Sequence, residues 1–575
     1  MNTNRRTFIK QSGITATALS LNPGLGFLPT IKSSDQDNLD HLLTILASIN
    51  DQKIEDLLAD QIDQPGHHWN GGVVNDHQIP NAHSTCWFII QLFHSYIVPT
   101  SNYYLASRLE QPMQKAAECL QRVQYEDGTI DLHSTNFHST PDTAFIVNYL
   151  SPVYAITQRL NQSGLNSFES ALQTFLSNTG KCLVSGGIHT PNHRWVVSAA
   201  LARLNTFWPD QKFVDRIDTW LSEGIDQDPD GQFTEQSVSI YSPVCDDMFL
   251  TMGKLLKRPE LLEVVRKNLE MTLYYIQPGG EVLTEASGRQ DSAYTGYVNG
   301  YYPTYRYFAI KDNNPVYARI CNLIETRMPE KITRYISVLM EDQFYAKKMP
   351  DPTALPDNYW KRFSHSGVFR IRRGKSDFSV IEHNPTFLTF MKGGAVLQAV
   401  RLHAAFFGSR GQFISENTEV KGQQIILTRS QTHGYYQPLP AEKLPGDGDW
   451  DKMPRTERRL SERQTLNYRV AFTESNGKAT INIEVEGTEN VPVSLELSFR
   501  KSGALAGVTV DKDLNDVYFL ADDYGEYQVE NDVIRFGPGK VEHRWAQMRG
   551  QLPKMEGNSV YLTGYTPFKH TIELS

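Results

Sequence analysis

Two periods of hydrophobic recurrence divide the chain. From about Asp40 to Asp342, apolar residues return at helical spacing: Leu42, Leu43, Leu46 and Ile49 form one stripe, and Ala144, Val147, Leu150 and Val153-Tyr154 another. Segments near 40–60, 86–97, 103–123, 142–160, 167–178, 194–206 and 213–222 read as helices. Others follow near 243–256, 259–275, 293–309, 314–325 and 331–341. About twelve helices suit six antiparallel hairpins closing into a ring around a central cleft. The connections at 63–85, 126–141, 184–193, 224–242 and 277–292 are long and hold most of the Gly, His and Asn of this half, which marks them as functional loops.

After Pro350-Asp351-Pro352 the period falls to two. Ile481, Ile483 and Val485 alternate with Asn482, Glu484 and Glu486, and Val493, Leu495, Leu497 and Phe499 with Ser494, Glu496, Ser498 and Arg500. Such alternation predicts antiparallel strands with one wet face. Asn476-Gly477 between two such runs is a hairpin signal. The expected fold class is therefore α+β and multidomain: an N-terminal (α/α) toroid over 34–345, then an antiparallel β-sandwich over 355–575.

Residues 1–33 are set apart from the fold. Asn4-Arg5-Arg6-Thr7-Phe8-Ile9-Lys10 precedes a mild apolar stretch from Ile14 to Phe27, the layout of a twin-arginine signal. The expectation is a folded cargo exported to the periplasm or beyond. Past those residues no apolar run approaches the roughly 20 residues of a membrane span. Fifty-six Lys and Arg against 65 Asp and Glu give a net charge of −9. An acidic chain is a poor nucleic-acid binder, although a locally basic cleft can still take an anion. Cys86, Cys119, Cys182, Cys245 and Cys321 are odd in number and widely spaced, so they predict free buried thiols rather than disulfides or a zinc site.

Four clusters in the helical half and one in the sandwich carry side chains suited to chemistry. Asn192 and His193, in Thr190-Pro191-Asn192-His193-Arg194-Trp195, stand where a loop enters a helix. Asn192 either caps that helix or offers its amide to a ligand. Tyr241 opens the helix that follows Asp230-Gly231-Gln232-Phe233-Thr234-Glu235. His138 is the residue that helix initiation leaves unexplained in Asn136-Phe137-His138-Ser139-Thr140-Pro141-Asp142. Arg289 precedes a run of six tyrosines in fourteen residues, Tyr301 among them, suited to stacking on sugar rings. In the sandwich, Arg401 and His403 share one face of a strand, opposite Val400 and Leu402. No G-x-S-x-G elbow, Walker loop, H-E-x-x-H or GxGxxG is present.

A helical ring followed by a β-sandwich, with Asn192-His193 at a helix start and Tyr241 about fifty residues on, resembles the toroid polysaccharide lyases over most of the chain. The Asn-His pair and the tyrosine are similar to those of the alginate and heparinase II/III-like lyases. Asp230-Gly231-Gln232-Phe233 resembles the Asp-Gly-Ser-Phe stretch of chondroitin and hyaluronate lyases, but Gln236 stands near the place of their catalytic histidine. The segment Asn136 to Asp142 and the length resemble the L-rhamnose-α-1,4-D-glucuronate lyases. The resemblance implies β-elimination at a 4-linked uronate of an anionic oligo- or polysaccharide. Tyr241, His193, Asn192 and His403 are then the catalytic candidates, and Arg289, Arg401, His138, Glu235, Trp195 and Tyr301 the substrate-binding ones.

The chemistry has its own logic. Removing the C5 proton of a uronate puts a second charge on an ionised carboxylate, so donors or cations must stand where that charge develops. Asn192 with Arg289 or Arg401 fits that task, and Tyr241 fits the shared acid and base, assisted by His193 or His403. Elimination of this kind requires no metal and no organic cofactor, and no structural calcium or zinc is indicated. Two rival readings remain. A glycoside hydrolase on the same ring would use a carboxylate pair drawn from Asp142, Glu235, Asp246, Asp247 and Glu285. A non-catalytic glycan-binding protein would keep only the tyrosine platform.

Overall fold

The computed structural model describes residues 37–575, so the twin-arginine segment lies outside the described residues. The chain parts into two compact units. The first comprises the residues up to Ile276 with Gly280–Leu355, and the second Pro356–Ser575 with Gln277–Gly279.

Among the described residues the first unit holds thirteen α-helices. They are α1 (Asp37–Asp51), α2 (Ile54–Asp60), α3 (Ala82–Ile97), α4 (Ser107–Val123), α5 (Thr140–Leu160), α6 (Asn166–Ser185) and α7 (His193–Phe207). Then come α8 (Gln211–Ser222), α9 (Tyr241–Leu255), α10 (Pro259–Tyr275), α11 (Tyr302–Lys311), α12 (Pro315–Arg327) and α13 (Ile336–Glu341). In α4, Leu109, Met113, Ala116, Ala117 and Leu120 recur at helical spacing and are all buried. Helix α7 is buried on every side from His193 to Leu204, so its first turn is held rigidly by core packing. The five cysteines are free and buried.

This unit is not wholly helical. Strand β1 (Ile130–Leu132) pairs antiparallel with β2 (Asn136–Ser139), and β3 (Glu281–Val282) with β4 (Gly296–Tyr297). The helix expected from 293 begins only at Tyr302. Gly296 explains why: a Cβ there would lie 2.3 Å from the Ser239 Cβ, so this stretch runs extended against the loop before α9.

The second unit is built from strands. The first run is β5 (Asn358–Phe363), β6 (Val368–Arg373), β7 (Ser376–Ile381), β8 (Leu388–Lys392), β9 (Ala395–Ala404), β10 (Asn417–Lys421), β11 (Gln424–Tyr436) and β12 (Leu460–Ser475). It continues with β13 (Lys478–Gly487), β14 (Pro492–Phe499), β15 (Ala504–Ala506), β16 (Thr509–Val510), β17 (Val517–Phe519), β18 (Gly525–Val529), β19 (Asp532–Gly537), β20 (Asn558–Tyr565) and β21 (Phe568–Leu574). One sheet has the order β10-β11-β12-β13-β21-β19-β18-β15, the other β16-β17-β20-β14-β9-β8-β7-β6-β5. The strand pairings within these sheets are antiparallel except β17 with β20. Apolar residues of both sheets, among them Ile481, Val485, Leu495, Leu402 and Val400, form one continuous core between them. Asn476 (φ 51°) and Gly477 (φ 78°) make the turn joining β12 to β13, with Ser475 opposite Lys478.

The expectation of one wet face fails for β14. Ser494, Glu496 and Ser498 are as buried as the alternating Val493, Leu495 and Leu497. β14 lies in the interior of its sheet, and Val517, Phe519, Ala546 and Tyr561 gather in a second, smaller apolar cluster.

Candidate active site

Four segments of the first unit bring candidate side chains together. The first is the start of α5, where Ser139 caps the helix by accepting from the Asp142 backbone N–H. Asp142 in turn accepts from Asn136 Nδ2 (2.8 Å) and Ser139 Oγ (2.5 Å), and His83 Nε2 lies 3.4 Å from its other oxygen. These partners outweigh burial, which alone would raise the group, and hold its carboxyl down at about 2.

The second is the start of α7. Asn192 occupies the cap position but has helical φ and ψ (−62°, −26°) and makes no side-chain cap. Its Oδ1 instead accepts from Thr190 Oγ1 (2.7 Å), which leaves a buried Nδ2 with no hydrogen-bond partner. Nδ1 of His193 is likewise buried and without a partner. Burial above all, aided by His189 and Arg289 and opposed by Asp142, pushes the His193 imidazole down to about 4, so it is neutral at physiological pH.

The third is the loop from Glu223 to Ile240 with the first turn of α9. Its turn at Gly231 (φ 104°) is pressed against α10, where a Cβ would meet the Lys267 carbonyl oxygen at 2.5 Å. Asn268 Nδ2 donates to the Gly231 carbonyl (2.8 Å) from the same helix. Phe233 stacks on Phe249, with the rings 6.1 Å apart. The loop is thereby pinned just before Glu235 and delivers Tyr241 half-buried at the helix start. Glu235 is buried, and burial first, then Asp226 and Asp291, push its carboxyl up to about 7 against the pull of Arg289 and the Asn192 backbone N–H.

The fourth is the loop between β3 and β4, which carries Arg289 and Gln290. Gln290 Nε2 donates to the Tyr241 hydroxyl oxygen (2.7 Å), and the Arg289 guanidinium sits over the Tyr241 ring at 5.1 Å. Arg289 Nε is buried with no hydrogen-bond partner. Arg289 is thus the hub: it touches Tyr241, and its charge acts on both His193 and Glu235.

Other candidates lie elsewhere. His138 is more than half exposed, stacked on Tyr125 (3.7 Å) and 3.4 Å from Asp127 Oδ2. Trp195 is a core residue rather than a sugar platform: fully buried, its Nε1 donates to Asp226 Oδ1 (2.9 Å) and its ring packs on Phe249. Tyr301 is also fully buried, its hydroxyl donating to the Val238 carbonyl (2.7 Å), so it is no stacking surface. Arg401 and His403 belong to the second unit and do lie on the face opposite Val400 and Leu402. Arg401 is already neutralised by its cross-strand partner Glu496 (3.0 Å) and also donates to the Pro553 carbonyl, so its salt bridge is internal to the sandwich. Burial, partly offset by the Arg549 backbone, pushes His403 down to about 4. Sequence reasoning missed His83 and Gln290. Gln290 adjoins Arg289 in a cluster already singled out, whereas only the density of histidine in the loop 63–85 pointed towards His83.

A helical toroid followed by a two-sheet antiparallel β-sandwich is the fold of a group of polysaccharide lyases, and the solved structures this chain resembles come from that group. A xanthan lyase from Paenibacillus superposes with a TM-score of 0.57 at 9% identity, over 94% of this chain and 57% of that one. Chondroitin AC lyase from Streptomyces coelicolor, solved with chondroitin sulphate, gives 0.54 at 12% identity, covering 96% of this chain and 80% of the other. A chondroitinase AC lyase solved with oligosaccharides gives 0.51 at 10% identity, over 94% and 83%. The likeness is one of fold. The sequence matches no family model and no curated protein. Among the described residues no helix is long and apolar enough to cross a membrane, and no group of three or more His, Cys, Asp or Glu could hold a metal ion.

Proposed function

We propose that this protein is a polysaccharide lyase that cleaves a 4-linked uronate, glucuronate by preference, by β-elimination to a 4,5-unsaturated product. The observation that carries this reading is the set of buried, unpartnered nitrogens, Asn192 Nδ2, His193 Nδ1 and Arg289 Nε, near a half-buried tyrosine that Arg289 touches. Buried donors without partners are costly unless a ligand completes them, and a uronate carboxylate is an acceptor of the right charge. Asn192 and Arg289 would bind that carboxylate and stabilise the enolate-like charge as the C5 proton leaves. In glucuronate, H5 and O4 lie on the same ring face, so one phenol serves both ends. Neutral His193 first takes the phenol proton; the Tyr241 phenolate then accepts the C5 proton and, as the phenol so formed, gives it to the departing O4, after which His193 returns its proton to Tyr241. Because Gln290 donates to the phenol oxygen, the negative charge of the phenolate meets an amide donor and the Arg289 guanidinium. L-Rhamnose-α-1,4-D-glucuronate of arabinogalactan-type glycans is the narrower substrate we favour, on the segment Asn136 to Asp142.

The test is turnover of uronate glycans, including gum arabic, ulvan, alginate and heparan sulfate, scored by ultraviolet absorbance of the unsaturated product. Tyr241→Phe removes one oxygen and little packing, so kcat should fall by about 10²–10⁴-fold with the melting temperature unchanged. Asn192→Ala should lower kcat by about 10²–10³-fold. Near wild-type turnover of Tyr241→Phe would remove that residue from the acid/base role.

A second reading has one observation in its favour. Asp142, held near 2, and Glu235, raised to about 7, are split as the base and acid of a glycoside hydrolase would be. Sugar release without an ultraviolet product would favour it. On the Arg5-Arg6 motif we also propose export by the twin-arginine route, and changing both residues to Lys should abolish recovery of the protein in the periplasmic fraction.

A further inference from the structure

Asp291 takes no part in the chemistry proposed above, yet it is completely buried and receives four hydrogen bonds. Its Oδ2 accepts from Ser237 Oγ (3.0 Å), Ser239 Oγ (3.0 Å) and the Ser239 backbone N–H (3.2 Å). Its Oδ1 accepts from Ser287 Oγ. Two of these serines pass the constraint on. Ser237 Oγ, while donating to Asp291, accepts from the backbone N–H of Tyr241 (3.2 Å). Ser287 Oγ, while donating to Asp291, accepts from the backbone N–H of Arg289 (3.1 Å). One carboxylate therefore fixes the backbones of both residues through matched hydroxyl relays, although Ser237 and Asp291 stand 54 residues apart in sequence. A hydroxyl has one proton, so donating it to the Asp291 carboxyl settles which way its lone pairs face the backbone amides.

We propose that Asp291 is the positioning residue of the site: it sets Tyr241 against Arg289 and Gln290, and its loss disables the tyrosine without touching substrate. This rests on the lyase reading for its kinetic consequence but not for its structural one. Asp291→Asn keeps the shape and places an amide, itself a donor, against serine donors. We expect kcat to fall by about 10²-fold, the cost of displacing a reacting group by about 1 Å, with KM within about twofold of wild type. Because one of the two relays ends on Tyr241, adding Asp291→Asn to Tyr241→Phe should cost less than Asp291→Asn costs alone. An additive loss in the double variant would overturn the proposal, as would undiminished kcat in Asp291→Asn. The structural arm is hydrogen exchange without substrate: peptides spanning Tyr241 and Arg289 should exchange faster in Asp291→Asn while those of α7 stay protected. Unchanged exchange at both positions would also overturn it. Should Asp291→Asn fail to fold, Ser237→Ala and Ser287→Ala each cut one relay, and either leaving kcat and exchange at wild-type values decides against the proposal. If Tyr241→Phe alone retains turnover, the lyase mechanism falls, and the exchange measurement still judges Asp291 by itself.

Discussion

Glu235 and Asp142 show how environment divides two chemically similar side chains. Asp142 is buried but supplied with donors, so its charged form is the favoured one; Glu235 is buried with too little compensation, so its neutral form is. The consequences for stability have opposite signs. A depressed carboxyl contributes stability above its unfolded value and loses it as pH falls towards about 2. Asp142→Asn should therefore cost about 2 kcal/mol at neutral pH, shrinking below pH 4, in urea denaturation. A raised carboxyl burdens the fold increasingly from the ordinary carboxylate range up to about pH 7. Glu235→Gln should match wild type at pH 4 and exceed it at pH 8, and a reversed order would contradict the raised value. In activity, ionised Glu235 would compete with the proposed uronate carboxylate for Arg289, so KM should rise above pH 7 in wild type and not in Glu235→Gln. At this scale the sequence was most legible at helix starts. Asn192, His193 and Tyr241 follow long loops and stand where α7 and α9 begin. Trp195 and Tyr301 misled because an aromatic with a polar tip is equally content in a core that satisfies it, here through Asp226 and the Val238 carbonyl. Tyr301→Phe should accordingly lower stability by about 1–3 kcal/mol, from the orphaned carbonyl, rather than act on sugar binding.

Among elements, periodicity was a reliable guide wherever one face met a core and one met water. Helix α4 and strand β13 obey it, with Ile481, Ile483 and Val485 inward. It misjudged β14, because alternation of serine and glutamate with aliphatics looks the same whether the polar face meets solvent or a covering partner. Glu496 is buried against Arg401, and Ser559 Oγ donates to it as well. The turn Asn476-Gly477 was legible because its chemistry is local: both residues take the left-handed backbone that joins twisted antiparallel strands. Gly477→Ala would hold a Cβ at φ 78° and 3.1 Å from Ser376 Oγ, and should cost about 1–3 kcal/mol in denaturant unfolding. The late start of α11 was not legible. The tyrosine-rich run has helical spacing, and only the tertiary approach of Gly296 to Ser239 forces it to be extended first.

For the molecule as a whole, an excess of nine negative charges would oppose the uronate glycan proposed as substrate, and the first unit gathers donors locally around Tyr241. Arg289 acts on His193, Glu235 and Tyr241 together, so one cation serves all three side chains. A site built this way would recognise a uronate carboxylate itself, and the proposed elimination would require that carboxylate a second time, since it makes the C5 proton removable. Reducing the uronate carboxyl groups of an active glycan to primary alcohols keeps the ring, the linkage and the O4 leaving group. The reduced glycan should give no ultraviolet product and should compete only weakly with the native one, whereas Tyr241→Phe should still be inhibited by the native glycan, because its carboxylate donors are intact. A hydrolase using Asp142 and Glu235 needs no acidic C5–H. Release of new reducing ends from the reduced glycan, without absorbance, would therefore move the chemistry from Tyr241 to that carboxyl pair.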